Sequence, residues 1–139
     1  METTMKHDGK TERKNLAEAK ALIPILRSIA NEVRERRLRL ARYAAMMRLM
    51  RQSPSSEGFV SSLEDLESAI RAENRGLESA LSEIDKLGLS VQSTGPFVVH
   101  IPGRTPGGDV IFSWEDNQAG ALLREEEEVA DRSNSNETV

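Results

Sequence analysis

Few residues of this chain have the type and spacing for chemistry. His100 and Ser113 fall on two runs of alternating apolar residues, and antiparallel pairing of those runs sets imidazole beside hydroxyl, the start of a nucleophilic pair. A working triad also needs an orienting carboxylate and an oxyanion hole, and no such constellation can be assembled from the sequence. The other imidazole, His7, lies in a charged N-terminal segment; with two histidines and no cysteine the chain offers no metal-ligand set and no thiolate nucleophile. Gly103-Arg-Thr-Pro-Gly-Gly108 lacks the Lys-Ser/Thr ending of a phosphate-binding loop and precedes a strand, so it reads as a hairpin turn. No catalytic, cofactor-binding or metal-binding residue is assigned, and a non-enzymatic protein is expected.

The charged residues say more. Residues 1–52 carry 13 Lys and Arg against 6 Asp and Glu, and residues 53–139 carry 6 against 17, so a basic first half faces an acidic second half. Arg34, Arg36, Arg37, Arg39, Arg42, Arg48 and Arg51 crowd one segment and could bind phosphate backbones. The overall charge of −4 and the lack of interleaved aromatics favour a solvated helix face instead. Nucleic-acid binding through this arginine-rich helix is the alternative to an interaction with protein.

Two mirrored apolar stripes must position these groups. Leu22, Leu26, Ile29, Val33, Leu40, Tyr43, Met47 and Met50 recur at helical spacing, broken at Arg36; Phe59, Leu63, Leu66, Ile70, Leu77, Ala80, Ile84 and Leu87 repeat the pattern, broken at Glu73. Folding the chain about 53–55 pairs residues whose numbers sum to 109 or 110, and the two interruptions then meet, Arg36 opposite Glu73. The spacing predicts a long antiparallel helical hairpin with one polar layer that fixes its register. Leu38, Ala41, Ala45 and Leu49 form a second stripe on another face of helix one, which a two-helix hairpin cannot cover. That stripe, with Arg34, Arg37, Arg42 and Arg48, is the expected interaction surface, met by the β segment or by a second copy in a two-fold four-helix dimer.

Local signals set the boundaries. Asn15-Leu-Ala-Glu18 has capping-box spacing. Pro24 either kinks helix one near Ile23 or opens the main helix after a separate first turn. Ser61-Ser-Leu-Glu64 offers a second capping box, leaving the start of helix two between 56 and 62, and Lys86-Leu-Gly-Leu89 resembles a Schellman close. Gly76, inside helix two, marks a kink or a close backbone approach. Beyond Gly88 the period falls to two: Phe97, Val99 and Ile101, then Val110, Phe112 and Trp114, predict a small antiparallel β-hairpin with one apolar face, joined by 89–93 as a third strand. The expected organisation is a mobile arm over 1–14, a mainly α, α+β domain over 15–114, and a largely disordered acidic tail over 115–139, with a short helix over 119–130. A hydrophobic fraction of 37% with 4% aromatics allows only a modest core, no segment is long and apolar enough to span a membrane, and a cytoplasmic setting is expected.

The order of parts resembles a known family. Ala17-Glu-Ala-Lys-Ala-Leu-Ile-Pro-Ile-Leu-Arg27, a long charged helix, a second helix closing in Leu87-Gly88, Gly95-Pro-Phe-Val-Val-His-Ile-Pro102 and Asp109-Val-Ile-Phe-Ser-Trp114 are similar to the bacterial domain-of-unknown-function family 2203, with its "G-x-V-x-F-P … G-x-x-V-x-L-C-W". Ser113 stands where that family often has Cys, and the following strand with its Trp-His pair is missing. The resemblance implies a fold and a bacterial source but no activity. The chain is therefore expected to be a self-associating helical-hairpin interaction module, a homodimer through helix one, with no cofactor and no membrane partner.

Overall fold

The computed structural model describes residues 12–52, 58–116 and 122–127. They form α1 (Leu16–Ala21), α2 (Ile23–Gln52), α3 (Phe59–Lys86) and strands β1 (Ser90–Thr94), β2 (Phe97–Thr105), β3 (Gly108–Asp116) and β4 (Leu122–Glu127). The chain divides into two compact units, one of residues 28–83 and the other of residues 1–27 with 84–139.

In the second of these, Asn15 caps α1 with a complete capping box: its Oδ1 accepts from the Glu18 amide at 2.8 Å, and its own amide donates to Glu18 Oε1 at 2.9 Å. Pro24 has no amide to donate to the carbonyl of Lys20, and the helix breaks at Leu22, so α1 is a separate turn and Pro24 sits in the first turn of α2. α3 closes as a Schellman motif. Gly88 takes φ +81°, its amide donates to Asp85 O at 2.9 Å and the Leu89 amide to Ile84 O at 3.3 Å, while both Leu89 and Ile84 are buried.

β1 to β4 pair in sequence order as a four-stranded antiparallel sheet. One face carries Phe97, Val99, Ile101, Val110, Phe112 and Trp114, all buried, with Phe97 edge-on to Trp114 at 6.3 Å between ring centroids. Ala19, Leu26 and Ile84 are buried in the same unit, and α1 packs against β2. Gly103, directly opposite Val110, leaves the space that the Phe112 ring fills; a Cβ there would overlap the ring.

Two boundaries differ from the sequence reading. The segment over 1–14 was expected to be a mobile arm, yet its last residues extend the sheet. Lys14 donates to Pro102 O and accepts from the Arg104 amide, both at 2.9 Å, a parallel bridge to the part of β2 that β1 does not reach. Arg13 Nη1 donates to the carbonyls of Gly103 and Val110 at 3.2 and 3.1 Å, and its Nε faces Asp109 at 3.4 Å. A polar side chain with sheet carbonyls to satisfy is invisible to periodicity. Likewise the domain does not stop at Trp114: β3 runs to Asp116, and β4 occupies 122–127, where a tail and a short helix were expected. Leu-Leu-Arg-Glu-Glu-Glu reads as solvated tail by composition, but an edge strand needs charge rather than apolar alternation, and its backbone bonds to β3 hold it. The segment over 131–139 lies outside the described residues, as do residues 1–11.

In residues 28–83, Ala30, Val33, Leu66 and Ala80 are buried and the remaining stripe residues half-buried. Gly58, at φ +83°, precedes α3, which opens at Phe59 with Ser62 N bonded to Gly58 O at 2.9 Å. Ser61 and Ser62 therefore lie inside the first turn and do not cap the helix.

Candidate interaction surface and outer sheet cleft

Within residues 28–83, α2 and α3 meet through a charged layer. Arg36 Nη1 donates to Glu73 Oε1 at 3.0 Å and Arg39 Nε to Glu73 Oε2 at 2.8 Å, so each carboxylate oxygen has its own guanidinium. Arg36 Nε also donates to Glu32 Oε2 at 2.9 Å, one turn back on α2. The two guanidinium groups hold the Glu73 carboxyl below its usual range, Arg39's hydrogen bond contributing most, against opposition from burial. Arg36 is raised chiefly by Glu32 and Arg39 chiefly by Glu73, so all three stay charged. Gly76 explains how the layer fits. A Cβ there would fall inside the Arg36 guanidinium, so glycine is the close approach that lets this flat group cross α3. The mirrored stripes point to Arg36 and Glu73; Arg39 and Glu32 were missed, although their spacing of three and four from Arg36 was the available signal.

The second stripe is open. Leu38 is 55% and Leu49 65% exposed, with Met46 beside them at 49%; Ala41 is exposed and Ala45 half-buried. At 3.6 residues per turn this stripe lies about 180° around α2 from Arg36, Leu40 and Met47. Arg34, Arg37, Arg42 and Arg48 are exposed along the same side of the helix. Arg34 Nη1 donates to Asn31 Oδ1 at 2.6 Å.

On the outer face of the sheet His100 stands directly opposite Ser113, with Ser90 beyond His100 on β1 and Arg124 beyond Ser113 on β4. Ser113 is only 5% exposed, so little of it is open to solvent. His100 borders a cleft of about 340 Å³ whose other walls are Asp85, Gly88, Leu89, Ser90, Pro102 and Ile111. Asp85, which comes from the end of α3, has no signal in the spacing around it. The Gly103–Gly108 segment is the β2–β3 hairpin end, closed by Thr105 Oγ1, which donates to Gly108 O and accepts from the Gly107 amide, both at 3.2 Å. No group of three or more metal-ligating side chains occurs among the described residues, nor does any helix there have the length and apolarity to cross a membrane. Glu125 and Glu126 lie on β4, whereas Glu128 is outside the described residues.

The model of the family described as "Uncharacterized conserved protein (DUF2203)" matches residues 15–132. That match runs past Trp114 and takes in β4, so a strand does follow β3, although no Trp-His pair is in it. No curated protein and no solved structure matches the chain.

Proposed function

Because the chain belongs to the DUF2203 family of uncharacterized conserved proteins, we propose from its own geometry that it acts through protein contacts rather than catalysis, as a cytoplasmic self-associating helical hairpin. α2 and α3 run antiparallel in this reading, joined through residues 53–57, with the Arg36–Glu73–Arg39 layer selecting one register. The observation that carries the proposal is the exposed stripe on the face of α2 opposite that seam, with Leu38 and Leu49 more than half exposed.

The stripe suits a second copy of itself. Leu38, Ala41, Ala45 and Leu49 read large, small, small, large, so an antiparallel two-fold partner brings each leucine toward the other copy's opposite leucine, while the central alanines let the helices approach closely. Such an isologous contact turns two hairpins into a four-helix arrangement. Light scattering on the full chain at micromolar concentration is expected to give twice the chain mass of 15.4 kDa. Leu38→Glu with Leu49→Glu should return it to one chain mass with its far-ultraviolet circular dichroism retained. A wild-type chain that stays monomeric in high salt would refute the reading.

A further inference from the structure

We infer that the cleft on the outer face of the sheet is a binding site for a small organic cation, a protonated amine on a short apolar body. It is independent of the self-association surface. The volume of about 340 Å³ is at the lower end of the range for small-molecule sites.

Charge decides the class of ligand. Among the described residues Asp85 is the one carboxylate in the lining, and no Lys or Arg lines it. Asp85 sits in the last turn of α3, where the aligned carbonyls put partial negative charge and where helices favour cations, so its carboxylate opposes the dipole. A bound cation satisfies both. Among the described residues an anion finds nothing comparable in the lining: the amides of Gly88 and Leu89 already donate to Asp85 O and Ile84 O.

Hydrogen-bond capacity fits an ammonium. Its N–H groups meet acceptors in the Asp85 carboxylate, a ring nitrogen of His100 and the Ser90 hydroxyl. Ser90 Oγ accepts from Gln92 Nε2 at 2.9 Å and keeps a second lone pair. Leu89, Pro102 and Ile111 give the apolar wall for the body of the ligand. Hydrolysis does not fit, because Ser113 is buried and lies outside the lining. Among the described residues a metal ion would find only Asp85 and His100 as side-chain ligands of the usual kinds.

The test is an NMR titration of the full chain with phenethylamine and butylamine, set against phenethyl alcohol and hydrocinnamate as neutral and anionic counterparts. Expected are saturable shifts of the His100 ring and Ile111 methyl resonances, with phenethylamine about tenfold tighter than the alcohol, as one charge-assisted hydrogen bond implies, and hydrocinnamate weakest. Asp85→Asn, an exposed and conservative change, should abolish the preference for the amine over the alcohol. The inference is overturned if neither amine shifts these resonances at millimolar concentration. Equal affinity for amine, alcohol and acid, or an unchanged amine preference in D85N, overturns it as well.

Discussion

Gly76→Ala and Arg36→Ala, made singly and together, measure whether the missing side chain at 76 is what admits the guanidinium to the seam. Glycine inside a helix costs about 1 kcal/mol relative to alanine, so on propensity alone Gly76→Ala should stabilise α3 by that amount. The structure says most of that gain is not available while Arg36 is present. The new Cβ would overlap the guanidinium, which must swing away from Glu73 to make room. In the R36A background the space is empty and the full gain of about 1 kcal/mol appears, a rise in melting temperature of roughly 4 °C for a domain of this size. With Arg36 intact, less than half of that rise is expected. Thermal and urea unfolding, followed by circular dichroism at matched protein concentrations, give all four corners of the cycle. If Gly76→Ala raises the melting temperature equally in both backgrounds, the glycine is not there for the arginine and the account of the layer is wrong.

Two further outcomes follow from the same geometry. Gly103→Ala pushes a methyl into the ring of Phe112, which is 1% exposed; overpacking of this kind costs about 1–3 kcal/mol in denaturant unfolding, and Phe112→Leu should recover part of it. A cost-free Gly103→Ala would mean the ring does not rest on the glycine. Glu73 gives a pH dependence whose sign is fixed. Its folded-state carboxyl is held below the ordinary value of 4.5, so the unfolded chain binds more protons in acid. The stabilisation is complete above 4.5 and is lost as pH falls through the lowered folded value. The gap in urea midpoint between wild type and Glu73→Gln should therefore shrink below pH 4.5; a gap that stays constant there would refute the ion-pair assignment.

What could be read in advance depended on how far each signal reaches along the chain. Arg36 and Glu73 stand out because each breaks an apolar stripe, and the breaks coincide when the chain is folded on itself; periodicity carries that information over 37 positions. The Asn15 capping box, the Gly88 close and the buried faces of β2 and β3 depend on neighbours a few residues away, and local rules suffice. Gly103 is different: its reason is a ring on the adjacent strand, which has no trace in the spacing around it. Asp85 joins His100 at one cleft only because the end of α3 lies by the outer face of β2, a tertiary fact. β4 was misread because four of its six residues are charged, and composition cannot tell a solvated tail from an edge strand whose partner supplies the bonds.

Ionic strength separates the occupants that the open face of α2 could take. Leu38, Ala41, Ala45 and Leu49 supply the apolar area, but Arg34, Arg37, Arg42 and Arg48 run alongside, and in a two-fold pair both copies bring the same sign. Exposed charges of like sign repel over a Debye length of about 10 Å at 0.1 M salt and about 3 Å at 1 M. Burial of the leucines is not weakened by that screening, so a dimer through this face should tighten as salt rises. An acidic helix would be drawn by the arginines and weaken with salt, and nucleic acid would weaken steeply as counterions are released. Sedimentation equilibrium over a salt series therefore reads the chemistry of the partner directly. Association that is strong at low salt and lost at high salt would remove the second copy as the occupant and return the arginines, rather than the leucines, to the centre of the interface.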